Sequence, residues 1–120
     1  MKIAIPLEQK DLNASLCPSF GRAPYFLFYD SDTEEGEFVE NSAATTPGGA
    51  GIRAAQIITD YDADIVLTPR CGENAAEVLN KADVAIYKSM SGTARENVTA
   101  FLAGELALLR DFHSGFHHGR

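Results

Sequence analysis

Few residues in this chain can do chemistry: two cysteines, Cys17 and Cys71, and three histidines, His113, His117 and His118. Cys17 opens the stretch Cys17-Pro18-Ser19-Phe20-Gly21-Arg22-Ala23-Pro24, a loop by its prolines and glycine. Cys71 sits in Pro69-Arg70-Cys71-Gly72, ahead of a predicted helix. Arg22 and Arg70 lie close to the thiols in sequence, and a helix start favours a thiolate, so both cysteines are candidates for ionised, metal-binding sulfur. With two of the three histidines they make a Cys2His2 set, tetrahedral, suited to a single soft ion such as zinc. Each cysteine reads equally as a small buried apolar side chain. The histidines read also as an unstructured terminus or the remnant of a tag, although Ser114, Gly115 and Phe116 interrupt them.

Pro47-Gly48-Gly49-Ala50-Gly51 opens another predicted helix. Free N–H groups at such a start attract anions, and glycine lets the backbone approach them; a tight turn is the plainer alternative. No Walker lysine follows, and the pattern is not GxGxxG, so neither nucleotide fingerprint applies. A Ser-His-Asp set is missing, because every histidine is C-terminal. A two-metal nuclease needs acidic residues in the first strand, and Lys2 to Pro6 has none. Asp60, Asp62, Asp64 and Asp83 fall at helix ends and strand starts, where they cap or stay solvated. The chain is read as not an enzyme.

The elements around these loops follow from a chain of 120 residues, 45% hydrophobic and 22% charged, enough for one domain with its own core. The net charge of −7 and the scattered Lys and Arg argue against nucleic acid. No apolar run approaches the roughly 18 residues of a membrane span, and the N-terminus lacks the pattern of a signal peptide. The expected compartment is the cytoplasm, where two cysteines stay reduced.

Lys2 to Pro6 reads as a buried strand. Tyr25 to Asp30 and Glu37 to Asn41 read as a hairpin about an acidic turn ending in Gly36. Ile52 to Tyr61 reads as a helix with Ile52, Ala55, Ile57 and Ile58 inward. Asp64 to Thr68 is a short strand stopped by Pro69. Glu73 to Ala82 is a helix with the stripe Ala75, Val78, Leu79 and Ala82, and Val84 to Tyr87 is a strand. A last helix starts near Thr93, where Thr93 and Glu96 have capping-box spacing, with Val98, Phe101, Leu102 and Leu109 inward. Asp111 onward is a Gly- and His-rich tail. The expected organisation is a domain over 1–110 and a tail over 111–120. The order β-β-β-α-β-α-β-α predicts an α/β fold, a five-stranded mixed sheet with the first strand central and right-handed crossovers. Loops at the carboxyl ends of its parallel strands would meet on one edge.

Three stretches carry a family resemblance: Phe20-Gly21-Arg22-Ala23-Pro24-Tyr25-Phe26, Gly48-Gly49-Ala50-Gly51-Ile52-Arg53-Ala54-Ala55-Gln56, and Cys71-Gly72-Glu73-Asn74-Ala75-Ala76-Glu77-Val78-Leu79. In this order and spacing the chain, from Met1 to about Leu106, resembles the dinitrogenase iron-molybdenum cofactor biosynthesis family, the NifX-like proteins. The resemblance implies a three-layer ribonuclease H-like domain. It also implies a non-catalytic binding or carrier role for an iron-sulfur or molybdenum-containing cluster, with Ser19, Phe20, Gly21, Arg22, Gly48, Gly49 and Gly51 as cofactor-binding residues. Nitrogenase-linked members carry a histidine directly before the Phe-Gly pair, as a cluster ligand; here that position is Ser19. The replacement ligands offered by this chain are Cys17, Cys71, His113 and His117, on a cluster or on a single soft metal ion.

The implied partners are the cluster or metal ion and a cofactor-assembly or acceptor protein, with the chain a monomer or homodimer. The competing reading is a metal-free protein-interaction or regulatory module using the same loops.

Overall fold

The computed structural model describes residues 1–113. Its elements are strands β1 (Lys2–Leu7), β2 (Tyr25–Asp30) and β3 (Glu35–Glu40), a 3-10 turn (Ser42–Thr45), helix α1 (Ala50–Asp60), β4 (Ile65–Thr68), α2 (Glu73–Lys81), β5 (Ala85–Lys88) and α3 (Ala94–Leu102). The strands form one mixed sheet in the order β3-β2-β1-β4-β5. β2 pairs antiparallel with β1 and β3, while β4 pairs parallel with β1 and β5. The chain is thus an α/β domain with a five-stranded mixed sheet and three helices, and β1 is the central strand.

β1 is central because both of its faces are apolar. Ala4 joins Phe26, Phe28, Val66 and Ile86 on the face covered by α1 and α2. Ile3, Ile5 and Leu7 join Leu27, Ile65 and Leu67 on the face covered by α3. The period of two along a strand divides the core this way. Small residues set the spacing on the first face. Ala54 and Ala55 of α1 and Ala75 and Ala76 of α2 are all buried there. A Cβ on Gly51 would lie 3.4 Å from Ala75 Cβ, so the two helices start side by side.

Several expectations need correcting. The hairpin turn ends at Glu34, which has a φ of 61°, and Gly36 lies inside β3 opposite Tyr29. α1 begins at Ala50, and its buried face is Ala50, Ala54, Ala55 and Ile58, with Ile52 turned outward. The small alanines win the interface because α2 approaches closely. On α2, Ala75, Ala76 and Leu79 are buried, and Ala82 is an exposed C-cap. α3 stops at Leu102, which is 54% exposed, so Leu109 is not on it. Leu109 instead enters the α1–α2 side of the core from a segment that runs antiparallel along β5. Phe112 packs against the same cluster, so the chain stays on the body of the domain through the start of the expected tail.

Candidate functional site

The loops before β2, before α1 and after β4 meet around one cavity of about 600 Å³. Its lining includes Pro18, Ser19, Phe20, Gly21 and Arg22 from the first loop, Pro47 to Ile52 from the second, and Arg70, Gly72, Asn74 and Ala75 from the third, with His113 beside them.

Each wall has a local cause. Phe20 is buried against Phe26, ring centroids 5.4 Å apart, which anchors the first loop to β2. Gly21 presses on α1 itself: a Cβ there would stand 2.8 Å from Gly51 N and 2.9 Å from Gly51 Cα. Only glycine permits this contact between the loop and the helix start. Buried Asn41 joins the same loop to the 3-10 turn: its Nδ2 donates to Gly21 O at 3.1 Å and Ala23 O at 2.8 Å, and its Oδ1 accepts Ala43 N–H at 3.0 Å. Arg22 Nη1 donates to Ala44 O at 3.0 Å and Thr46 O at 2.7 Å, which fixes its charge at the cavity. In the third loop, buried Thr68 donates from Oγ1 to Arg70 O at 2.9 Å.

α1 and α2 both begin at this cavity. Their N-caps are Gly49, in the left-handed region at φ 69°, and Gly72; neither helix has a side-chain cap. First-turn N–H groups have no acceptor inside a helix. Glu73 N–H donates to His113 O at 2.9 Å. Those of Ala50, Gly51, Ile52, Asn74 and Ala75 meet no acceptor among the described residues, and each of these residues lines the cavity. Among the described residues, Arg22 and Arg70 are the arginines of the lining, and no Asp or Glu contributes. Two positive helix ends and two guanidinium groups around one space are suited to an anion.

The cavity brings together Ser19, Phe20, Gly21, Arg22, Gly48, Gly49 and Gly51, and also His113. It does not bring in the cysteines, which lie buried behind the lining. Burial pushes the Cys71 thiol up to about 12, overriding the helix start and the exposed Arg70 beside it. The Cys17 thiol is raised too, by burial first and by Glu8 as well, with a backbone hydrogen bond from Ser19 acting the other way. Both are therefore protonated at neutral pH. Among the described residues, no three His, Cys, Asp or Glu side chains gather as a metal site. His117 lies outside the described residues, so the four-ligand set with Cys17, Cys71 and His113 is not assembled in what the structure describes.

Arg70, Asn74 and Ile52 belong to the lining but had not been singled out for the site. The available signal was position: Arg70 follows a parallel strand at its carboxyl end, and Asn74 stands in the first turn of the helix after it.

Together, fold and cavity give an α/β domain in which two helix starts and two arginines surround one space, with no Asp, Glu or Cys in the lining among the described residues. The model of the dinitrogenase iron-molybdenum cofactor family matches residues 1–104, and the chain belongs to that family. The apo form of the orange protein from Desulfovibrio gigas is similar over 90% of this chain and 92% of its own, with 33% identity and a TM-score of 0.86. A NifB-like protein of Thermotoga is 33% identical over 98% of each chain, with a TM-score of 0.82. A dinitrogenase-related protein of Methanocaldococcus jannaschii shares the fold at 19% identity, covering 92% of this chain and 96% of its own, with a TM-score of 0.71. No curated protein matches the chain.

Proposed function

We propose that this chain is a non-catalytic carrier for a preformed anionic metal cluster of the iron-sulfur or molybdenum-sulfur kind. It would act in the cytoplasm and pass its cargo to a cofactor-assembly or acceptor protein. The observation that carries this reading is the pairing of two uncapped helix starts with Arg22 and Arg70 around a cavity without acidic side chains. A cluster bearing its own sulfides needs hydrogen-bond donors and positive charge around it, which these residues supply. Protonated, buried thiols are poor ligands, so Cys17 and Cys71 serve as packing in this reading. Ser19 lines the cavity where nitrogenase-linked relatives carry histidine, and cargo here is held mainly by charge and N–H donors. A ribonuclease H-like topology belongs to the same reading, supported by the β3-β2-β1-β4-β5 order with its antiparallel hairpin.

The test is anaerobic titration with tetrathiomolybdate, followed by its visible spectrum, on protein purified without a metal-chelating column. Wild type binds, and Arg22→Gln and Arg70→Gln each weaken binding roughly tenfold, as loss of a charge-assisted hydrogen bond does. Absence of binding, or binding indifferent to both substitutions, refutes the reading and leaves the metal-free interaction module in its place.

A further inference from the structure

Among the described residues, His113 is the one lining side chain of a class that readily binds transition metals; the others are arginine, asparagine, serine and apolar groups. It reaches the cavity by a separate route. After α3 the chain turns back along the free edge of β5, where Lys88 N–H donates to Ala107 O at 2.8 Å and Leu109 N–H to Ile86 O at 2.9 Å. Leu109 and Phe112 then pin the segment to the α1–α2 side of the core. His113 pairs with Gly72 in a parallel bridge, and its carbonyl accepts Glu73 N–H. The imidazole lies over Gly72: a Cβ there would be 3.2 Å from His113 Cε1. The family match ends at residue 104, so this arm lies beyond the matched part of the chain.

We propose that residues 107–113 form a ligand-bearing arm, and that the His113 imidazole binds directly to a metal at the edge of the cluster. The nitrogen donates its lone pair to the metal, and a terminal water leaves to solvent. The inference rests on the carrier reading, since the helix starts and arginines hold the anion while His113 selects among cargoes by their outer metal. Imidazole suits iron, so a cargo with iron exposed at its edge is the class this arm retains.

The test compares tetrathiomolybdate alone with tetrathiomolybdate plus Fe(II), in wild type, His113→Ala and His113→Gln. Both variants keep the backbone carbonyl that receives Glu73 N–H. The affinity of each protein for the bare anion is measured first and serves as that protein's own reference. Added iron should strengthen retention by wild type roughly tenfold, because two linked contacts then hold one cargo. It should give the variants no gain. X-ray absorption at the iron edge should show imidazole nitrogen in wild type only. An equal gain in the variants, or no imidazole at the iron of wild type, overturns the arm's role and leaves the carrier reading standing. Failure of wild type to bind the bare anion overturns both.

Discussion

Helix α3 begins closed, and helices α1 and α2 begin open. At α3, Thr93 Oγ1 accepts Glu96 N–H at 3.1 Å and Glu96 Oε1 accepts Thr93 N–H at 2.9 Å. Leu12 O and Ala14 O take the N–H groups of Arg95 and Ala94, each at 3.0 Å. Asn97 also holds the preceding loop, accepting Met90 N–H at 2.8 Å. At α1 and α2 the N-cap is glycine, with no side chain to offer. A chain able to satisfy one helix start completely leaves two others only partly satisfied, or not at all, where they share a cavity with Arg22 and Arg70. Buried or half-buried N–H groups without acceptors carry a cost, and an incoming anion removes it.

The sharpest way to break this comparison is to show that α2 is capped by its own thiolate. The Cys71 thiol is instead held neutral, raised from 9.0 to about 12. The unfolded chain loses that proton first as pH rises, so Cys71's contribution is complete below about pH 9 and is lost between 9 and 12. The loss is up to about 4 kcal/mol. Denaturant unfolding across this range should show the decline in wild type and a flatter profile in Cys71→Ala. A Cys71 titrating near neutrality would place a native anion at α2. Gly21→Ala comes next. Its Cβ would meet the backbone of Gly51, forcing loop and helix apart at a cost of about 1–3 kcal/mol. Thermal unfolding should fall, and tetrathiomolybdate binding should weaken with it. Gly49→Asp sets a carboxylate at the start of α1, in a left-handed position that strains any side chain. Tetrathiomolybdate affinity should drop roughly tenfold, and thermal unfolding should fall slightly. The smallest effect is at the closed start. Thr93→Ala should cost about 1 kcal/mol in chemical denaturation and leave anion affinity unchanged.

Much of the fold was legible along the chain. The aromatic run from Tyr25 and the Pro69 stop mark β2 and the end of β4, and the Thr93–Glu96 spacing marks the capping box now seen. These are local signals, decided by neighbours in sequence. The glycine-rich start of α1 and the Ser19 to Arg22 stretch were legible as loops that would meet. Less legible was what lies inside. Ile52 is a stronger hydrophobe than Ala54, yet Ala54 is buried, because the close approach of α2 admits only small side chains. Leu109 had the spacing of a helical core residue, but Gly104, at φ 75°, and the return along β5 place it elsewhere.

The sequence by itself determined the alternation of elements and the loops that would share one sheet edge, because periodicity and turn chemistry are local properties. Tertiary structure decided the state of the two thiols and the company of His113. A thiol's ionisation depends on how deeply other segments bury it, and packing around Cys71 outweighs the helix start and arginine that its neighbours advertise. His113 is 41 positions beyond Gly72 in the numbering, and only the register of the arm along β5 brings them together.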